Sequence, residues 1–350
     1  MRGRAVRKMK LTAPIMTAVF ILALIVSSGE AAADVTPVPG GYYVSTDRVA
    51  YKYEPNGAIR ISEYGVAIDG GPKHIVFASI AAGPFDPTDN PVEHDRTVAV
   101  TGTKAAIETH DNPHATLVYR AFDSSSIAFS LDSRIGAISR GDRVVVGDSG
   151  FLADLATTNG RTIVKSMDSL LIGLSPDDTL VFRVQGPAGS IGELITSGRL
   201  DVELDVMARD MTIHSDATAY EVGATMTVDS ISTSRATFSF SGLHTDSVAV
   251  VDLSKEVYER FEDHAIMTVD GSQLTRFSGV DGFLESSQPG FAIIEGPSYV
   301  EILLRPGASS GSLVIESVVP GFEPLLALAG FSSVIVCAAA GTYLFRRKSR

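Results

Sequence analysis

VAYKYEPNGAIRI, residues 49–61, decides the fold class. Val49, Tyr51 and Tyr53 alternate with Ala50, Lys52 and Glu54, and Ile59 and Ile61 resume the alternation after Pro55-Asn56-Gly57. A period of two puts the apolar side chains on one face of an extended chain, and Asn-Gly tolerates the positive φ of a tight turn, so the stretch reads as a β-hairpin. Outward from it the pattern continues. Val66 to Ile68, Asp69-Gly70-Gly71 and Ile75 to Phe77 form a second hairpin signal, and Gly83 to Asp95, with three prolines, reads as a long loop.

Further strands are legible at Thr97–Thr101, Thr116–Phe122, Ile127–Leu131, Arg143–Val146, Arg161–Ser166 and Leu180–Val184. Downstream they are predicted at Leu200–Val206, Met226–Val228, Ala236–Phe240, Ser247–Val251, Ala265–Val269, Phe291–Ile294, Tyr299–Leu304 and Ser312–Val318. Spacing near ten residues with β-branched enrichment predicts a mainly β protein of one or two antiparallel β-sandwich or barrel-like modules. Only Ser254–His264 reads as helix between the two ends of the chain, with Val257, Tyr258 and Phe261 on one side. A break near Val206 to Ser215 divides this part into residues 34–205 and 206–319; a single elongated β structure is the alternative.

The ends carry a different message. Arg2, Arg4, Arg7, Lys8 and Lys10 precede an apolar segment from Leu11 to Val26, and Ala31, Ala32 and Ala33 form a small-x-small site. This predicts a secretory signal peptide, residues 1–33, cut after Ala33 with Ala31 and Ala33 as its recognition pair; an uncleaved signal anchor is the alternative. At the other end, Pro324 to Phe345 is uncharged and is followed by Arg346, Arg347, Lys348 and Arg350. Twenty-two helical residues rise about 33 Å, enough for a hydrocarbon core of roughly 30 Å, so one transmembrane helix over 324–345 is predicted. The terminal cations hold its end in the cytoplasm and leave the β-rich part outside the cell.

The chain has 29 Lys plus Arg against 41 Asp plus Glu. Without the five cations and Glu30 at the front, and the four cations and Glu323 at the back, residues 34–319 hold 20 cations against 39 anions, a net of −19. A field of that sign argues against nucleic acid and anionic lipid surfaces as partners of the exterior part. The single cysteine, Cys337, lies in the apolar C-terminal run, so no disulfide staples the exterior part. Asn56, Asn90, Asn112 and Asn159 are followed by Gly, Pro, Pro and Gly, and none begins an N-glycosylation acceptor.

The order Pro320-Gly321-Phe322-Glu323, apolar span, basic tail resembles the PGF-CTERM sorting signal of archaeal surface proteins, over residues 320–350 alone. Pro289-Gly290-Phe291 repeats the tripeptide with no span behind it, so the signal lies in the three-part pattern. The resemblance implies export, cleavage near Pro320-Gly321-Phe322 by an archaeosortase as processing partner, and transfer of the new C-terminus to a membrane lipid. Many such proteins carry a stalk before the tripeptide, whereas here a predicted strand runs straight into Pro320. A plain single-pass anchor is the alternative.

Catalytic patterns are weak. Gly147-Asp148-Ser149-Gly150 has the letters of a serine-nucleophile loop, but neither the flanking glycine-proline nor a downstream Asp-x-x-His follows, and a strand-ending turn explains them. His94, His110 and His114, with Asp95 and Asp111, are the densest metal-like group, and Pro113 makes a helical His-x-x-x-His face improbable. Asp201, Glu203 and Asp205 alternate with Val202, Leu204 and Val206; they offer a weak Ca²⁺ row or, as alternation alone explains, the wet face of a strand. The sequence therefore assigns no catalytic residue, metal or cofactor. The function it implies is non-enzymatic: a structural or interaction component of an archaeal envelope, lying among surface-layer proteins. A binding module for a glycan or ion is the alternative, and a tethered hydrolase comes third.

Overall fold

The computed structural model describes residues 31–317, apart from 33–34, 39–40, 45–48, 55, 68–71, 87, 89–90, 95–96, 160, 190, 210–211, 260 and 262–264. Residues 1–30, Ala33, and the whole of 320–350 with Pro320, Gly321, Phe322 and the apolar run, on which the expected signal peptide and sorting signal fall, lie outside the described residues. No helix among the described residues is long and apolar enough to cross a membrane. Ala31–Ala32 is a short strand beside Glu93 and Val92, and cleavage after Ala33 would remove it.

Strands make up 59% of the described residues and helices 6%, so this part of the protein is mainly β. The strands form four sheets in two pairs. A nine-stranded sheet runs, from edge to edge, Ala31–Ala32, Val92–His94, Thr97–Thr101, Ala105–His110, Leu117–Ala121, Thr179–Val184, Leu152–Thr157, Arg143–Gly147 and Gly136–Arg140. Facing it, an eight-stranded sheet runs Val164–Lys165, Ser169–Leu174, Ser125–Leu131, Lys73–Gly83, Ile59–Ala67, Ala50–Tyr53, Gly41–Val44 and Val35–Val38. The second pair is a six-stranded sheet, Thr212–Ala219, Leu200–Arg209, Val248–Ser254, Tyr299–Arg305, Gly290–Glu295 and Thr275–Arg276, and a five-stranded one, Thr225–Ile231, Arg235–Ser241, Gly311–Ser317, Ala265–Val269 and Ser272–Gln273.

The opening hairpin forms as its alternation requires: Tyr51 lies opposite Ile61 and Tyr53 opposite Ile59, with Gly57 at φ 79° in the turn. The alternating residues of facing sheets then build two separate cores. Tyr64, Phe77, Phe129 and Phe182 centre the first, with ring centroids 4.8 to 6.2 Å apart in tilted and edge-on pairs. Val202, Leu204 and Val206 enter the second, against Met226, Phe238, Phe240, Met267, Leu313 and Ile315.

Four expectations are corrected. The Leu200–Arg209 and Val248–Ser254 strands pair in parallel, as do Thr275–Arg276 and Gly290–Glu295, so the second module is not wholly antiparallel. The sheets change over between Val184 and Leu200, so the expected break at 205/206 cuts through a strand of the second module. The predicted helix contracts to Lys255–Tyr258, although Val257, Tyr258 and Phe261 are buried as foreseen. Two short helices were not read at all, Ile191–Thr196 and Val280–Glu285, each too short to develop a period of 3.6.

The Ile191–Thr196 helix joins the modules and helps seal them together. Ile191, Leu194 and Ile195 pack with Ala156 and Val181 on the outer face of the nine-stranded sheet and with Leu200, Val248, Val250, Ala292 and Leu303 on the outer face of the six-stranded sheet. Gly192 passes so close to Asp154 that an added Cβ would lie 2.6 Å from its carboxylate. The two sandwiches are therefore stacked back to back, in four layers of sheet. The internal Pro289-Gly290-Phe291 has a packing explanation: Gly290 starts a strand where a Cβ would meet the Thr275 carbonyl at 2.5 Å.

Candidate metal centre in the seam between the modules

The outer face of the six-stranded sheet is half apolar and half acidic. The alternation that sends Val202, Leu204 and Val206 into the second core points Glu203 and Asp205 the other way, toward the first module. Both are fully buried and Asp201 is nearly so, which overturns the reading of this row as a wet strand face. The register then assembles more acid: Asp216 lies opposite Asp205, Asp205 beside Asp252, and Asp252 opposite Glu301. Carboxylates thus occupy one row across four adjacent strands spaced roughly 4.8 Å apart. Such a row repels itself unless cations meet it.

The first module supplies them. From Thr179–Val184, Arg183 donates through Nε and Nη2 to Glu203 Oε1 and Oε2 at 2.7 to 3.1 Å and through Nη2 to Glu301 Oε1 at 2.9 Å. Its Nη1 donates to the Val184 carbonyl at 3.1 Å, the Ala188 backbone N–H donates to Glu301 Oε2 at 2.5 Å, and the Tyr220 hydroxyl donates to Glu203 Oε2. Glu203 is accordingly held as the anion: burial pushes its pKa up, but the charge of Arg183 more than reverses this.

His110, at the end of the Ala105–His110 strand, meets the other end of the row. Its Nδ1 lies 3.0 and 3.2 Å from the Asp216 carboxylate, Thr97 Oγ1 donates to the same carboxylate at 2.7 Å, and Glu108 Oε2 is 3.8 Å from its Nε2. Burial lowers its pKa, but Asp216 and Glu108 together raise it to about 9, so His110 is an imidazolium at neutral pH. Beside it, Arg120 donates to the Ala219 carbonyl at 2.6 Å.

Between these two contacts stands His114. The loop from Asp111 to Thr116 is pinned by Asn112 Oδ1 accepting from the Thr116 backbone N–H at 3.2 Å, and by the His110 N–H donating to the Thr116 carbonyl at 2.8 Å. The Val184 N–H donates to the His114 carbonyl at 2.8 Å, while His114 Nδ1 lies 3.1 Å from the Val184 carbonyl. A carbonyl only accepts, so the proton sits on Nδ1 and the Nε2 lone pair faces forward. That lone pair looks at oxygen atoms: Glu203 Oε1 at 3.4 Å, Asp252 Oδ2 at 3.4 Å and Asp205 Oδ1 at 3.8 Å.

One donor atom from each of His114, Glu203, Asp205 and Asp252 lies within 4.8 Å of all the others, and the four residues are buried. His114 Nε2 and both oxygens of Asp205 and of Asp252 have no hydrogen-bond partner among the described residues. Burial first, and then neighbouring carboxylates, push Asp205 and Asp252 well above the usual carboxylate range. Burial and the charge of Arg183 push His114 down to about 3. A proton on His114 does not relieve the group.

The two sequence patterns weighed separately thus meet, in part. His114 joins Glu203 and Asp205, while His110 goes to Asp216 and Asp201 turns to a loop, where it accepts from the His244 backbone N–H at 2.6 Å and from the Ser247 hydroxyl. The side chains of His94 and Asp95 are outside the described residues. Asp252, Arg183 and Glu301 were missed, although Asp252 and Arg183 are each the one charge in a mostly apolar strand, VAVVDLS and TLVFRV, and Glu301 shares the mostly apolar YVEILLR with Arg305 alone. A strand that is apolar on both faces is covered on both, and a charge in it must have a partner. Ser149 sits exposed in a turn where the Gly150 N–H donates to Asp148 Oδ1 at 2.6 Å. The Gly-Asp-Ser-Gly letters have that turn as their structural account. No protein-family model and no curated protein matches the chain.

Proposed function

We propose that the chain is an archaeal cell-surface protein, exported through its leader, processed by an archaeosortase at Pro320-Gly321-Phe322 and held to the membrane by lipid. Its exterior part serves as a non-enzymatic structural or interaction component of the envelope, beside surface-layer proteins. The observation that carries the structural role is the seam. A protein that only displays loops does not need its modules fused through buried charge, whereas a load-bearing spacer gains from one stiff body of stacked sandwiches. The net of −19 over residues 34–319 fits a solvated exterior in a salty medium. The fully buried position of the acidic group supports a structural over a catalytic reading, because no substrate reaches it.

The test is the intact mass and C-terminal peptide of the protein isolated from membranes, with its fate on washing the envelope in high salt. Loss of the segment after Pro320 with an added lipid mass, and retention in the envelope, is the expected result. An intact Arg350 on a lipid-free chain would leave a single-pass membrane protein. Thermal stabilisation by one glycan would favour the binding-module reading instead.

A further inference from the structure

We propose that His114, Glu203, Asp205 and Asp252 bind a divalent first-row transition-metal ion, with Zn²⁺ the best match, and that this ion ties one β-sandwich to the other. The argument starts from geometry. In a tetrahedron with metal–ligand distances of about 2.0–2.1 Å the corners stand about 3.3–3.4 Å apart. His114 Nε2 lies at 3.4, 3.4 and 3.8 Å from single oxygens of the three carboxylates, which is the spacing of ligands around a small shared ion.

Hydrogen bonding agrees. The five atoms that would face the ion or flank its ligands, His114 Nε2 and the oxygens of Asp205 and Asp252, are the ones left without a donor or acceptor in a fully buried site. The groups that hold the ligands are bonded: Arg183 and Tyr220 orient Glu203, and the Val184 carbonyl fixes the His114 tautomer. Such outer contacts are what hold metal ligands in place. Charge agrees as well. Four carboxyl groups, Glu203, Asp205, Asp252 and Glu301, share the one guanidinium of Arg183, and a divalent ion would supply the further positive charge that this many acids call for.

Ligand chemistry selects the ion. Imidazole nitrogen suits zinc and its neighbours, while Ca²⁺ and Mg²⁺ favour six or more oxygens. The ligands also divide by module. His114 comes from the first and the three carboxylates from the second, so the ion closes a loop that spans the seam. Four protein ligands in a closed, buried site describe a structural metal rather than a catalytic one.

The experiment takes the full chain in detergent, without a histidine tag, and the double variant Asp205→Asn/Asp252→Asn. Metal content is measured by elemental mass spectrometry, and Tm is measured after refolding with Zn²⁺, Ca²⁺, Mg²⁺ or a chelator. The expected result is about one equivalent of a first-row metal per wild-type chain and a Tm higher with Zn²⁺ than with chelator by more than about 5 °C. The double variant should hold no metal and give the same Tm in both. A metal-free wild-type chain indifferent to Zn²⁺ would overturn the proposal and leave Asp205 and Asp252 as buried, protonated carboxyls. A response to Ca²⁺ or Mg²⁺ alone would overturn the choice of ion, and equal metal in the variant would overturn the site. If the variant does not fold, the wild-type metal content and Tm response still decide the matter.

Discussion

The molecule has two kinds of interior. Each sandwich closes over an apolar core built from alternating Val, Ile, Leu and Phe, whereas the seam between sandwiches joins an apolar patch under the Ile191–Thr196 helix to a row of acids met by Arg183 and His110 and faced by the lone pair of His114. The apolar cores draw on the hydrophobic effect and tolerate small errors of position. The seam tolerates none, since a buried charge without its partner costs far more than the pair contributes. Stability of each module and fixed geometry between modules are thus assigned to different chemistry.

Removing a partner from the seam should be at least as damaging as emptying a core. Arg183→Met, which leaves Glu203 and Glu301 buried and unpaired, is expected to cost about 3–5 kcal/mol in denaturant unfolding. Adding Glu203→Gln and Glu301→Gln to it should recover a large part of that loss. A cost below about 1 kcal/mol would mean that water reaches the seam. Phe238→Ala, in the second core, should cost a comparable 3–5 kcal/mol through its cavity, and no substitution in the seam should restore it.

His110 gives the seam a pH dependence that the cores lack. Its folded pKa of about 9 lies above the ordinary 6.5, so its contribution is fully present below pH 6.5 and is lost as pH rises through 9. The loss should reach roughly 3 kcal/mol at most, and His110→Asn should flatten unfolding free energy between pH 6.5 and 9. An unchanged slope in the variant would remove His110 from the account. The smallest effect belongs to Ser149→Ala, which should shift stability by less than about 0.5 kcal/mol, because the exposed turn is held by Asp148 and not by the hydroxyl.

The contrast also explains what was legible. VAYKYEPNGAIRI and LDVELDV announce strands, because alternation is a local property and each apolar face has one place to go. The same alternation cannot tell whether the polar face meets water or a second sheet. Asp201, Glu203 and Asp205 therefore read as wet when they are buried. His114 was singled out with the wrong companions, because the turn at Pro113 directs it away from His110 and toward residues far along the chain. The usable signal was a charge in a mostly apolar strand, alone at Arg183 and Asp252 and with Arg305 as its only charged companion at Glu301. It marks burial on both faces, and the one cation, Arg183, calls for the two acids. The parallel pairing that sets Asp205 beside Asp252 has no local signature, since the strands are joined through another sheet.

The central claim is that buried charge fuses the two sandwiches into one body, and scanning calorimetry of the full chain tests it most directly. The account predicts a single transition with equal calorimetric and van't Hoff enthalpies, splitting into two when Arg183→Met loosens the seam. Two independent transitions in the wild-type chain, unmoved by that substitution, would contradict it.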